Sequence, residues 1–270
     1  MIKQIPHRTF FGALAAGVLL LGASAWAATP STKPNIVLMF IDDMGYGDIG
    51  PFGNTVNKTP NLDRMAEEGI KLTQFYVANT ACTPSRAALL TGTYAHRIGM
   101  DGGNGNLVVT FPGDSRGLNP SEITIAEMLR ENGYATGCFG KWHLGDQPEF
   151  MPLNQGFDTY FGIPYSNDMW PQHTARNPIT KRKYEPLPVM KQDKAVAHVA
   201  DEFDQSLLAE VITDEAIAFI EKNQKRPFFC YIPHAHVHYP RHARPEYLKR
   251  AEGNVDRAHV EEVEIGRAHV

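Results

Sequence analysis

The sequence predicts an α/β fold, a mainly parallel β-sheet flanked by helices, and two observations lead to it. Strand-like runs alternate with helix patterns three times along the chain. The first of these runs is continuously apolar, as a strand covered on both faces is.

That run, NIVLMFI from Asn35, is too short for a helical period, is rich in branched residues and breaks off in DDMGYGD. Thr59 and Pro60 then start a helix whose apolar face is Leu62, Met65 and Ala66; Gly69 stops it, and KLTQFYV follows as a second strand. In the next unit Thr124 and Glu127 make a capping-box pair, Ile125, Met128 and Leu129 the apolar stripe, Gly133 the stop and YATGCFG the strand. A third unit runs from an amphipathic helix around Ile212 to Lys222 into the strand PFFCYIP. Between Asn154 and Ala200 the chain turns polar, with Pro164, Pro171, Pro178, Pro186 and Pro188. This predicts a long insertion over one end of the sheet, of the kind that shapes substrate pockets.

The 270 residues are 43% hydrophobic and carry 26 basic against 30 acidic side chains, enough for one large domain. The charges are scattered without runs, which excludes a phosphate-backbone or membrane-surface footprint, so no nucleic-acid partner is expected. Lys3 and Arg8 precede an apolar run from Phe10 to Leu21 and the small-residue stretch from Ala23 to Ala27. Residues 1–27 are therefore expected to be a signal peptide, with the mature chain periplasmic or secreted. The run falls short of the ~20 residues that span a bilayer, so no stable membrane span is expected. Three cysteines cannot all pair in that oxidising compartment, and at least one thiol needs another explanation.

Functional groups of a parallel sheet gather beyond the carboxyl ends of its strands. The residues there are Asp42 and Asp43, then Lys141 and His143, then His234, His236 and His238. Adjacent carboxylates at the end of a buried strand call for a cation, and oxygen ligands select calcium or magnesium; a plain Asp/Gly turn is the other reading. Cys82 precedes Thr83, a candidate N-cap, and Pro84, suited to the first helical position, so its side chain faces the positive end of a helix dipole. Such a position favours a thiolate and anions, and Arg86 adds a fixed positive charge; a capped helix with an incidental cysteine fits the same residues. Lys141 and His143, two apart, project to one side in extended geometry and offer a cation and an acid or base, or else are a surface lysine and a packed histidine. The alternate histidines of HAHVH have the spacing of strand-borne zinc ligands, a rival reading that leaves CTPSR without a role.

Taken together, NIVLMFIDDMGYGD, TPNLDRMAEEG, CTPSRAALLTG, TIAEMLRENGYATGCFGKWHLG, GFDTYFGIPYSND and PFFCYIPHAHVHYP resemble, in the same order, the successive motifs of the formylglycine-dependent type I sulfatases, on the arylsulfatase A side of the family. The resemblance implies an alkaline phosphatase/sulfatase-like fold and a sulfuric ester hydrolase. Cys82 would be oxidised to formylglycine by a separate maturation enzyme that recognises CTPSR. Its hydrated aldehyde would attack sulfur and then expel sulfate. Asp42 and Asp43, with residue 82, would hold Ca2+ or, alternatively, Mg2+. Arg86 would steady the diol, Lys141 and Ser166 would bind the sulfate, His143 would serve the diol and His238 would bind substrate and protonate the leaving group. The substrate would be a sulfated small molecule, lipid or glycan. A phosphate or phosphonate monoester hydrolase of the same superfamily, or an inactive fragment that retains only sulfated-ligand binding, are the rivals.

The family's Asp-Asn pair and second lysine have no counterpart after His238, which implies a chain truncated before the smaller C-terminal domain. Residues 28–256 are then the N-terminal part of the catalytic domain. Residues 257–270, where RAHV occurs at Arg257 and again at Arg267, are expected to be a doubtful or artefactual tail.

Overall fold

Six strands carry the fold in a computed structural model that describes residues 33–103 and 105–263. They are β1 (Ile36–Phe40), β2 (Ala135–Lys141), β3 (Thr159–Ile163), β4 (Leu187–Lys191), β5 (Lys194–Val199) and β6 (Phe228–Pro233), and they form one sheet in the order β1-β6-β2-β3-β4-β5. The pairs β1–β6, β6–β2 and β2–β3 are parallel; β3–β4 and β4–β5 are antiparallel. The helices are α1 (Pro60–Glu68), α2 (Cys82–Thr91), α3 (Ile125–Glu131), α4 (Glu202–Asn223), α5 (Pro245–Arg250) and α6 (Val255–Glu262). The expected mainly parallel sheet with helices on both faces is therefore observed, while the expected signal over 1–27 lies outside the described residues.

Side-chain alternation along β6 divides the core into two layers. Phe228, Cys230 and Ile232 pack with Leu208, Ile212, Ala216 and Phe219 of α4, while Phe229 and Tyr231 point the other way, into a cluster with Ala87 and Leu90 of α2 and Ala126 of α3. Every residue of β2 and β6 is buried, so the centre of the sheet needs no polar face, whereas β1, expected from its apolar run to be covered on both faces, lies at the sheet edge with none of its residues buried. The Thr124–Glu127 capping box forms as expected. Met128, placed on the apolar stripe from the sequence, is exposed, and Ala126 takes the buried position instead.

Two other expectations are corrected. KLTQFYV forms no strand: Leu72, Phe75, Tyr76 and Val77 are exposed, and among the described residues nothing pairs with the outer side of β1. A strand needs a ladder partner as well as propensity. The polar stretch 154–200 is no simple insertion, because it supplies β3, β4 and β5, half of the sheet's strands. Its β4–β5 hairpin turns at Gln192 and Asp193, with Gln192 at φ 57, and leaves β5 largely exposed, so its composition stays polar.

Helix α6 crosses the boundary expected at 256, with the first RAHV at its centre; Asn254 caps it by accepting from the Arg257 amide, and Ala258, His259 and Val260 are buried. The second RAHV lies outside the described residues.

Candidate active site

The carboxyl ends of β1, β6, β2 and β3 lie side by side, so the loops that leave them meet at one rim of the sheet. β1 delivers Asp42 and Asp43, β2 ends on Lys141, β3 leads to Ser166, and β6 leads to the histidine segment 234–238. Backbone bonds fasten two of these loops together: the Asp42 amide donates to the His236 carbonyl at 2.8 Å and the Val237 amide to the Asp42 carbonyl at 2.6 Å. Gly140 makes the close approach possible, because at φ 138 a Cβ there would stand 2.1 Å from the Pro233 carbonyl oxygen.

Lys141 has no exposed surface. Its ammonium donates to the Asp42 carboxylate and, at 2.8 Å, to Ser166 Oγ. Arg86, equally buried, places Nη2 3.2 Å from Asp42 Oδ2 and donates through Nη1 to the Lys141 carbonyl at 2.6 Å. Burial alone would raise the Asp42 carboxyl, but Lys141 and Arg86 outweigh it and hold the group well below the usual carboxylate range. Asp42, Arg86, Lys141 and Ser166 thus form one charged, dehydrated cluster of residues that the sequence places up to 124 positions apart, from 42 to 166.

Helix α2 begins earlier than its sequence suggests. Ala81 is the N-cap and Cys82 the first helical residue, so Pro84 sits third and Thr83 caps nothing. Cys82 is half-buried and unpaired, close enough to Arg86 to favour that residue's charge. Cys138 and Cys230 are also free, and burial pushes both thiols up, Cys230 to about 12.

The Thr83 hydroxyl works elsewhere: it donates to the His143 carbonyl at 2.9 Å and accepts from the Thr110 amide at 3.2 Å. His143 is left-handed at φ 59, so the chain has already left strand geometry, and strand alternation is not what aims its ring. Its Nε2 meets the Thr110 carbonyl at 2.9 Å. A carbonyl only accepts, which assigns the proton to Nε2 and leaves Nδ1, buried and without a partner, with a free lone pair. Burial, then Lys141 and Arg86, push this imidazole far down, so it is neutral.

The three histidines of HAHVH do not converge. β6 ends at Pro233, and beyond it His238 brings Nε2 within 3.9 Å of Asp43, while His236 turns to α6, 3.5 Å from Glu262. His234 is buried, and burial, with His236 and Arg86 beside it, pulls it down to about 3. One zinc ion on all three, the rival considered from spacing, is not supported by this arrangement.

Asp42 and Asp43 suit a hard divalent cation, since both offer carboxylate oxygens and the exposed Asp43 carboxylate, on a left-handed residue at φ 63, stands 3.9 Å from His238 Nε2. They supply part of the oxygen set such an ion takes. Sequence reasoning missed the partners that steady the rim. Thr110 receives the His143 ring through its backbone, and the Gln205 amide donates to the Asn167 carbonyl at 2.7 Å. Main-chain acceptors leave no residue-type signal.

The family model described as Sulfatase matches residues 34–262. The chain belongs to the sulfatase family. Human arylsulfatase A is 40% identical over 86% of this chain and 46% of its own length. N-acetylgalactosamine-6-sulfatase of Canis lupus familiaris is 37% identical over 86% of this chain and 45% of its own. Among solved structures, Ps i-CgsB superposes with a TM-score of 0.74 at 31% identity, covering 88% of this chain and 54% of that one. The PsFucS1 sulfatase from Pseudoalteromonas sp. gives 0.75 at 28% identity, covering 87% and 50%. This chain spans about half the length of the curated relatives it matches, 46% for human arylsulfatase A. Sulfatases work with a metal ion and a formylglycine. Among the described residues no helix is long and apolar enough to cross a membrane.

Proposed function

We propose that the protein hydrolyses sulfate esters through a formylglycine at Cys82 and a divalent ion, Ca2+ or alternatively Mg2+, on Asp42 and Asp43. The observation that carries this reading is the buried Asp42–Lys141–Arg86–Ser166 cluster beside the start of α2, where Cys82 opens CTPSR. Asp42 faces two fixed cations, Lys141 and Arg86, and Asp43 adds a second carboxylate beside it in the chain, so a bound divalent ion would make the pocket net positive and able to bind a sulfuryl anion. A hydrated aldehyde at position 82 supplies two hydroxyls, one to take the sulfuryl group and one to release it, which a thiol cannot do.

The chain's own residues do the rest. Lys141 and Ser166 hold sulfate oxygens, and Arg86 steadies residue 82 from within the same helix. His143, neutral with Nδ1 unpartnered, takes a proton from a residue-82 hydroxyl. His238, half-buried beside Asp43, gives a proton to the leaving oxygen and touches the substrate. The substrate class is a sulfated small molecule, lipid or glycan; Ps i-CgsB is known in complex with k-i-k-neocarrahexaose, which supports the glycan among these. Export to the periplasm or medium and a maturation enzyme that reads CTPSR complete the proposal.

The test is the mass of the Cys82 peptide from a host that has the maturation enzyme: oxidation of the thiol to the aldehyde removes about 18 Da. An unmodified thiol there overturns the formylglycine reading. Rates on an aryl sulfate and an aryl phosphate, for this chain and for its full-length gene product, then decide the reaction. Sulfate turnover is expected from the full-length product; a strong preference for phosphate moves the protein to the phosphoester side of the superfamily, and no turnover from this chain alone would leave it a binding fragment.

A further inference from the structure

In the segment that follows β6, His236 meets two residues of α6, His259 and Glu262, which stand three apart and so share a helix face. Their exposures are 3%, 2% and 0%. The rings of His236 and His259 stack at 4.0 Å between centroids, His236 Nε2 lies 3.5 Å from Glu262 Oε2, and one nitrogen or oxygen from each residue falls within 4.8 Å of the others.

His236 Nε2 and both carboxylate oxygens of Glu262 are buried without a hydrogen-bond partner, and the His259 ring has at least one nitrogen in the same condition, the backbone of His238 approaching the other. A buried carboxylate in that condition is strongly unfavourable, and so is each orphaned nitrogen. A cation placed among them answers all three residues at once.

We propose that His236, His259 and Glu262 form a site for a zinc-class divalent transition metal, separate from the Asp42–Asp43 pair, with water in the remaining position. Two imidazoles and one carboxylate are a donor set that zinc takes, whereas calcium and magnesium prefer oxygen alone. A tetrahedral zinc site puts neighbouring donor atoms roughly 3.3 Å apart, so donor atoms now within 4.8 Å of one another would close by up to about 1.5 Å. The site pins α6 to the segment whose backbone is bonded to Asp42 on one side of Val237 and which carries His238 on the other. Its ion would therefore brace the active-site rim without touching substrate.

The test uses the untagged full chain, stripped with chelator and titrated with Co2+, which reports four-coordinate binding by intense visible d–d absorption. We expect saturation at one equivalent of this band, its displacement by Zn2+, its loss in His259→Ala and in Glu262→Gln, and its persistence in Asp43→Asn and Cys82→Ala. Circular dichroism identifies any variant that fails to fold; His259→Gln then replaces His259→Ala. Absence of the band in the wild-type chain overturns the proposal in favour of an imidazolium–carboxylate pair. A band that survives in folded His259 and Glu262 variants, or that disappears with Asp43→Asn or Cys82→Ala, overturns it in favour of the other site.

Discussion

Asp42 and Glu262 are both carboxylates shut away from water, on two sides of the same histidine segment, and they are served in opposite ways. Asp42 has an ammonium and a guanidinium against it, and its backbone is bonded on both sides. Glu262 has one imidazole at 3.5 Å and no hydrogen bond to either oxygen. A carboxylate with built-in countercharges is a fixed part of the fold. One without them is a place where the fold is unfinished until something positive arrives.

The largest expected effect comes from removing a countercharge. Lys141→Met leaves Asp42 with Arg86 alone, and breaking a buried pair in this way costs about 3–5 kcal/mol in urea unfolding. A loss below about 1 kcal/mol would mean that Asp42 is not held as described. Gly140→Ala keeps Lys141 but displaces it, since the new Cβ meets the Pro233 carbonyl. Overpacking of this kind costs about 1–3 kcal/mol, seen as a lower Tm with activity falling alongside; an unchanged Tm would refute the close approach.

Acid separates the two carboxylates next. The Asp42 pKa in the folded chain lies below its ordinary 3.8, so near that pH the unfolded chain binds more protons and stability rises with pH. The contribution is complete above about pH 5 and is lost as pH falls toward the folded pKa. Urea unfolding between about pH 6 and about pH 3 is expected to show a shallower fall for Asp42→Asn than for wild type; parallel curves would contradict the assignment. The smallest effect is at Glu262. In chelator-treated protein Glu262→Gln removes an uncompensated charge and is expected to change stability by less than about 1 kcal/mol, or to raise it. A loss of more than about 2 kcal/mol would show that the carboxylate already has its partner.

What the sequence revealed divides along similar lines. YATGCFG and PFFCYIP announced β2 and β6 because strands buried on both faces must be apolar throughout; NIVLMFI announced β1 by the same sign although that strand lies at the sheet edge with none of its residues buried, and the ends of all three pointed to Asp42, Lys141 and the histidines. KLTQFYV misled because its composition says nothing about whether a neighbouring strand is there to receive its hydrogen bonds. β4 and β5 stayed hidden because an exposed antiparallel hairpin with Pro188 in it carries the composition of a loop. At the site, Arg86, Lys141 and Ser166 were legible as residue types, but not the fact that one carboxylate, Asp42, joins the first two. Thr83 stood inside the most telling motif, and its hydroxyl serves the carbonyl of a residue 60 positions away, a role that no local pattern can state.

The outer side of β1 has a wider consequence. Beside it α1 buries none of its residues, and Leu38, Ile41, Leu62, Met65 and Val263 line an open groove of about 730 Å³. Among the described residues nothing pairs with this edge, and a strand edge above an apolar trough is a ready template for another chain in extended form. Edge pairing with a second copy is the contact that such an edge favours at high concentration.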